Sequence, residues 1–202
     1  MKLYYSPGAC SLSPHIVACE AGLPIELVKV DLGSRRTETG EDFLQLNPNG
    51  YVPVLTLDDG NKLTEGPAII QSFADLAPDK KLAPPAGTFE RYQLQQWLNF
   101  ISTEIHKSFS PLFRPAAPEA TKQFAIDTLT ARLETTAAHL SVHPYLLGEN
   151  LSVADAYLFV TLGWGQHVNV DISKWPALSG YRDKIAKRPA VQKAMKAEGL
   201  IK

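Results

Sequence analysis

The sequence carries no excess of either charge. Its 20 Lys and Arg are set against 21 Asp and Glu, for a formal net charge of -1. The two signs are interspersed, so no basic stripe points to nucleic acid or to an anionic membrane surface. Long apolar runs are absent too, and nothing approaches the ~18 residues that a membrane span requires. The N-terminal stretch does not read as a signal peptide, because Pro7, Gly8, Pro14 and His15 interrupt it soon after Lys2. Cysteine is scarce. Cys10 and Cys19 stand nine positions apart, which is neither a CxxC redox pair nor a metal knuckle. Free thiols in a reducing, cytoplasmic compartment are therefore expected. The five histidines show no metal-ligand spacing, so no metal is expected. Repeats and low-complexity tracts are missing. What remains is 202 residues with 45% apolar content, ample for one or two packed domains.

The first part of the chain alternates short elements. Lys2 to Tyr5 reads as a strand, Ser6-Pro7-Gly8 as a turn, and the residues up to Ala21 as a helix stopped by Gly22. Pro14 is tolerated only in a helix's first turn, where no N–H partner is lost. Ile25 to Val30 alternates as a second strand, parallel to the first because a helix joins them. A polar loop (33–40), a helical turn (41–46) and the turn Asn47-Pro-Asn-Gly50 follow. Val52 to Leu57 and Lys62 to Thr64 flank Asp58-Asp59-Gly60-Asn61, a hairpin signal, and a helix then spans Pro67 to Leu76. The order is βαβαββα.

Pro84-Pro85 marks a linker, beyond which only helix signals occur. Phe89 to Phe109 forms one long helix. Another, 118–140, carries Phe124, Ile126, Leu129, Leu133 and Leu140 as its apolar stripe. Val153 to Trp164 is apolar nearly all round and should be the buried central helix, started by the capping box Ser152-Val-Ala-Asp155. Trp175-Pro176 and Arg188-Pro189 open two last short helices. The fold class is α/β plus all-α, with a division expected at residues 1–80 and 87–202.

Several residues could carry chemistry. Cys10 stands where a helix begins, and the helix dipole with its free N–H groups favours an anion there. Lowering a thiol from its usual ~8.5 by about two units takes roughly 2.7 kcal/mol, within reach of such a site. A small buried hydrophobe is the competing reading. Tyr5 and Ser11 are nearby hydroxyls, the first equally explained by core packing and the second by helix capping. Val52 precedes Pro53, so it should be extended and able to pair with a peptide-like ligand. Glu65 and Gly66 open a helix, where a backbone N–H and a carboxylate could take an α-carboxylate and its ammonium, although an acidic residue complementing the helix dipole explains Glu65 equally well. Asn99, Thr103, His106 and Ser110 recur at spacings of four, three and four, one polar helix face. Cys19, His15, His139, His143 and His167 show no such company.

These segments, taken in order, resemble a known family. Tyr4-Tyr-Ser-Pro-Gly-Ala-Cys-Ser-Leu12, Asn47-Pro-Asn-Gly-Tyr-Val-Pro53, Leu63-Thr-Glu-Gly-Pro-Ala-Ile69 and Ser152-Val-Ala-Asp-Ala-Tyr157 are similar to the bacterial beta-class glutathione S-transferases, and overall most like those of aromatic-degradation pathways. The likeness continues through Gln96-Trp-Leu-Asn99 and Glu104-Ile-His-Lys107. It implies a thioredoxin-like domain followed by a helical domain, a cytoplasmic homodimer, and glutathione as co-substrate. It implies that Cys10 meets the glutathione sulfur, that Val52 pairs with the tripeptide before a cis Pro53, and that Glu65 and Gly66 hold the γ-glutamyl end. Arg35, His106 and Lys107 would lie near the rest of the peptide, with Cys10 and His106 as the catalytic pair. Asn99, Thr103 and Glu104 would line a dimer cleft. Arg35 stands where lysine is common, which keeps the charge but changes its geometry. Three activities follow as readings: conjugation of the glutathione thiolate to a small hydrophobic electrophile, thiol-disulfide exchange through Cys10, or non-catalytic carriage of hydrophobic ligands.

Overall fold

A computed structural model describes residues 1–202. By contacts the chain separates into two units, Met1–Leu82 with Arg188–Lys202, and Ala83–Lys187. The closing helix thus belongs with the N-terminal segment, whereas chain order alone had grouped it with residues 87–202.

The first unit is a mixed five-stranded sheet. Its strands are β1 (Lys2–Tyr5), β2 (Glu26–Asp31), β3 (Arg36–Thr37), β4 (Val54–Thr56) and β5 (Lys62–Thr64), in the spatial order β3-β2-β1-β4-β5. β1 and β2 are parallel, as their helical connection requires. β4 runs antiparallel to both β1 and β5. Alternation sends neighbouring residues to opposite faces. Tyr4, Val28, Val30 and Val54 face one side, where Phe43 and Val52 complete a buried cluster. Leu3 and Leu55, paired in register, are fully buried on the other. Helices α1 (Leu12–Ala21), α2 (Gly66–Leu76) and α8 (Pro189–Ala197) belong to this unit, with α1 packed against both α2 and α8. Gly22 closes α1 at φ 68, a left-handed conformation that glycine adopts without steric cost.

β3 lies within the segment that reads as a loop. Asp31 accepts from the N–H groups of Gly33 (2.7 Å) and Ser34 (3.1 Å), which turns the chain back onto β2. Two residues are too few to show an alternating pattern. The helical turn expected nearby is a short 3₁₀ turn at Phe43–Gln45.

The second unit is helical: α3 (Phe89–Phe100), a π-helical stretch (Ile101–His106), α4 (Lys107–Phe109), α5 (Glu119–Leu140), α6 (Val153–Gly163) and α7 (Pro176–Ala186). α6 is buried on every side from Val153 to Leu162, as its largely apolar sequence predicts, and its two buried polar side chains, Asp155 and Thr161, are hydrogen-bonded. On α5, Leu129, Leu133 and Leu140 are buried and Ile126 is half-buried, but Phe124 is 73% exposed. At ~100° per residue, Phe124 lies about 140° around the helix from Leu129 and leaves the stripe, whose place Ala125 takes. No helix is long and apolar enough to cross a membrane.

Candidate functional site

In the first unit the chain leaves β1 through a tight turn. Ala9 N–H donates to Ser6 O at 3.0 Å. Ser11 does not cap α1. Its fully buried hydroxyl donates to Ser6 O at 3.2 Å and accepts from Ser6 N–H at 3.1 Å, stitching the turn to itself. That use leaves Ser11 neither the capping role nor the activating role open to it from sequence. Tyr5 is a buried strand aromatic beside His15, with ring centroids 6.4 Å apart.

Cys10 is half-buried, and its Sγ donates to the carbonyl of Val52 at 3.2 Å. Val52 is buried and its bond to Pro53 is cis. The segment leading into β4 thus lies beside the cysteine turn. The protonation state differs from the one the helix start suggested. Burial pushes the thiol up to about 12, the N–H groups of Cys10 and Ser11 pull it down less strongly, and the charge of Glu65 adds to the rise. Cys10 is thus a protonated donor at neutral pH. Desolvation of a thiolate outweighs the dipole, because α1 begins at Leu12 and Cys10 stands in the preceding turn.

Glu65 and Gly66 head α2, with Pro67 in its first turn. Glu65 is exposed and held at φ 66, ψ 114. A non-glycine residue there costs about 1–3 kcal/mol and persists only where its surroundings over-determine it. Arg35 also has positive φ, 58°, and its guanidinium donates to the Gly50 carbonyl. Gly50 is tightly covered: a Cβ there would meet Arg35 Nη1 and Leu44 Cδ2, both at 3.2 Å.

In the second unit the π-helical stretch interrupts the polar face expected along the long helix. Asn99 and Thr103 remain exposed, with Thr103 Oγ1 donating to Asn99 O at 3.0 Å. His106 turns inward instead. Its Nδ1 is 2.6 Å from Tyr157 Oη on α6, and its ring packs edge-on against Trp164 at 4.7 Å. The widened turn changes the register of everything after Phe100, and such π segments recur at functional sites. Burial, aided by the charge of Lys107, lowers His106 to about 4, so its imidazole is neutral near pH 7. Glu104 is tied to Arg132 by a 2.6 Å ion pair, and Lys107 is exposed. Lys107 also borders a groove of ≈ 530 Å³ together with Ser110, Pro111, Arg114, Ala117 and Pro118. No group of three or more His, Cys, Asp or Glu comes together in a metal-binding arrangement.

Tyr157 on α6 and Trp164 in the 3₁₀ turn after it, which hold His106, carry no local signal beyond lying in an apolar run. His15 does have company: Glu198, 183 residues away, lies 2.9 Å from its Nδ1.

A mixed sheet with the cysteine turn against a cis-proline segment, followed by a helical bundle with a half-buried, hydrogen-bonded histidine, defines a thioredoxin-like plus all-helical enzyme architecture. The glutathione S-transferase N-terminal domain family matches residues 8–76, and its C-terminal domain family matches residues 100–189. The chain is 44% identical to glutathione S-transferase GstA of Escherichia coli O157:H7, across 99% of this chain and 100% of that protein. Among solved structures, BphK, a bacterial glutathione S-transferase in a ternary complex, is 60% identical. It superposes with a TM-score of 0.97 over 98% of this chain and 100% of BphK. A sphingomonad glutathione S-transferase complexed with glutathione is 50% identical, with a TM-score of 0.96 over the whole of both chains (100%). This chain belongs to the glutathione S-transferase family.

Proposed function

We propose that the protein is a glutathione S-transferase that joins the glutathione thiolate to a small hydrophobic electrophile. The observation that carries this reading is the pairing of Cys10 Sγ with the Val52 carbonyl at 3.2 Å, beside the cis Val52-Pro53 bond, in a chain of this family. Glutathione is the co-substrate, as in the sphingomonad relative solved with it. Cys10 meets its sulfur, Val52 its backbone, and Glu65 and Gly66 its γ-glutamyl end. Gly66 supplies the N–H at the head of α2 for a carboxylate, and the exposed Glu65 supplies the counter-charge for an ammonium. Arg35 and Lys107 provide positive charge for the rest of the tripeptide. His106 is the catalytic imidazole, neutral and oriented by Tyr157. Asn99, Thr103 and Glu104 serve a cleft formed on homodimerisation, for which exposed Phe89, Tyr92 and Phe124 supply apolar surface. The groove lined by Pro111, Ala117 and Pro118 supports an apolar second substrate. Two free cysteines and no spanning helix support a cytoplasmic setting.

The conjugating role is favoured over redox exchange by the state of Cys10. A thiol held protonated is a poor attacker of disulfides, whereas its S–H can donate to a neighbouring thiolate. The test compares wild type with Cys10→Ala in glutathione conjugation to an aryl halide and in glutathione-dependent disulfide reduction. Conjugation is expected to survive in the variant within about tenfold, the scale of one lost hydrogen bond to a charged group. Absence of turnover by wild type across a panel of electrophiles, with glutathione bound, would leave only the carrier reading.

A further inference from the structure

Read from the sequence, the helix that becomes α5 stops at Leu140, which leaves His143 in a loop and its distance from His139 without meaning. The structure gives these two residues company. Helical hydrogen bonding runs on past Leu140: Ser141 N–H donates to Ala137 O at 2.9 Å, and His143 N–H donates to His139 O at 3.2 Å. The extra turn keeps both histidines on one face. Their ring centroids lie 4.6 Å apart, with the planes tilted by 36°. A metal bound by two imidazole nitrogens at ~2.0–2.1 Å lies about 3.2 Å from each ring centre, so ligands ~90° apart put the centres about 4.5 Å from one another. The tautomer is fixed as well. His139 Nε2 is 3.1 Å from the Leu146 carbonyl, which can only accept, so Nε2 carries the proton and Nδ1 keeps a lone pair. A carbonyl on the far nitrogen is how metal-ligating histidines are commonly oriented. Burial holds His139 below its usual range, so the ring is neutral near pH 7. His143 is exposed, with no hydrogen bond to its ring. The last carbonyls of α5 add partial negative charge at this end, which favours a cation.

We propose that His139 and His143 form a binding site for a divalent transition-metal cation, held at the end of α5 by two imidazole nitrogens. The ring spacing suits the ~90° ligand angles that Cu(II) and Ni(II) prefer. No third His, Cys, Asp or Glu joins the pair, so water completes the coordination and the ion exchanges with solution. His139 also packs against Trp97 of α3, with centroids 4.8 Å apart, which places an indole beside the ion. All of these residues lie in the second unit, and the site does not depend on the glutathione reading.

The test titrates Ni(II) into the untagged full-length protein and reads tryptophan fluorescence beside calorimetry. Ni(II) is the probe because the free thiols of Cys10 and Cys19 would reduce Cu(II). A paramagnetic ion held beside Trp97 should quench the fluorescence saturably. His143→Gln changes an exposed side chain and should weaken binding at least about tenfold, no less than the loss of an outer-shell partner costs. Trp97→Phe should remove the quenching while calorimetry still reports the ion. His167→Gln, an exposed histidine outside the pair, should bind as wild type does. Wild-type affinity in His143→Gln overturns the proposal, and so does quenching that persists in Trp97→Phe. An equal loss in His167→Gln overturns it too, as does a wild type that shows no saturation below about 1 mM Ni(II).

Discussion

Replacing Asp155 by alanine should destabilise the helical unit by several kcal/mol, and the structure sets the size. The Asp155 side chain is buried, and four hydrogen bonds converge on it. Oδ1 accepts from Leu146 N–H at 2.9 Å and from Tyr181 Oη at 2.8 Å; Oδ2 accepts from Ser152 N–H at 2.7 Å and from Ser152 Oγ at 2.8 Å. Burial raises the carboxyl above its usual range against the pull of these donors, so the network exists to satisfy its members rather than to favour a charge. Alanine strands two backbone N–H groups and a phenol, while the serine hydroxyl can turn to other partners. At about 1–3 kcal/mol for each stranded donor, the loss is roughly 3–6 kcal/mol after some hydration. Domains hold only about 5–15 kcal/mol in total. Asp155→Asn keeps one oxygen and should cost roughly half as much. Urea unfolding followed by tryptophan fluorescence suits the question, since Trp97, Trp164 and Trp175 all lie in the second unit. With a slope of about 1–3 kcal/mol per molar urea, the alanine midpoint should fall by roughly 2 M. A loss below about 1 kcal/mol would refute the reasoning, because it would mean that the stranded donors find partners freely.

Tyr157→Phe removes the 2.6 Å partner of His106 and should lower kcat/KM about fivefold without unfolding the protein, checked by steady-state kinetics beside circular dichroism. Arg35→Met should raise KM for glutathione about five- to tenfold with kcat nearly unchanged, and an unchanged KM would remove Arg35 from the site. The buried His15 and the half-buried His106 act on stability in opposite directions. His15, lifted to about 9, contributes roughly 3 kcal/mol that is fully present below ~6.5 and lost as pH rises through 9. His106, lowered to about 4, contributes stability that is present above ~6.5 and lost as pH falls toward 4. Urea midpoints between pH 5 and 10 (~half-unit steps) should therefore decline on the alkaline side, and His15→Gln should flatten that limb.

Local chemistry made much of the architecture legible. Pro7-Gly8 ends a strand, Pro14 is confined to a first helical turn, Gly22 stops a helix, Asp59-Gly60 closes a hairpin, and Ser152 with Asp155 starts α6. Each of these acts over about four residues, and each is found where the sequence places it. The elements that escaped it depend on neighbours far along the chain or on too few residues. β3 is two residues long and exists because β2 is beside it. Phe124 looks like core until the buried face of α5 is known. The π-helical stretch shifts the face on which His106 stands, and residue type alone does not announce it.

The same boundary runs through the site. Sequence by itself determined that Cys10, Val52, Glu65 and Gly66 sit at turns and helix starts, since those positions follow from backbone rules of short range. It also placed His106 on a helix in the second half. Only the tertiary structure decided what state these groups are in. The Cys10 thiol is protonated because desolvation is a sum over everything packed around it, and that sum exceeds the help from two nearby N–H groups. Glu198 reaches the Gly8 turn across 190 positions, a contact for which no local pattern exists and which folding alone creates.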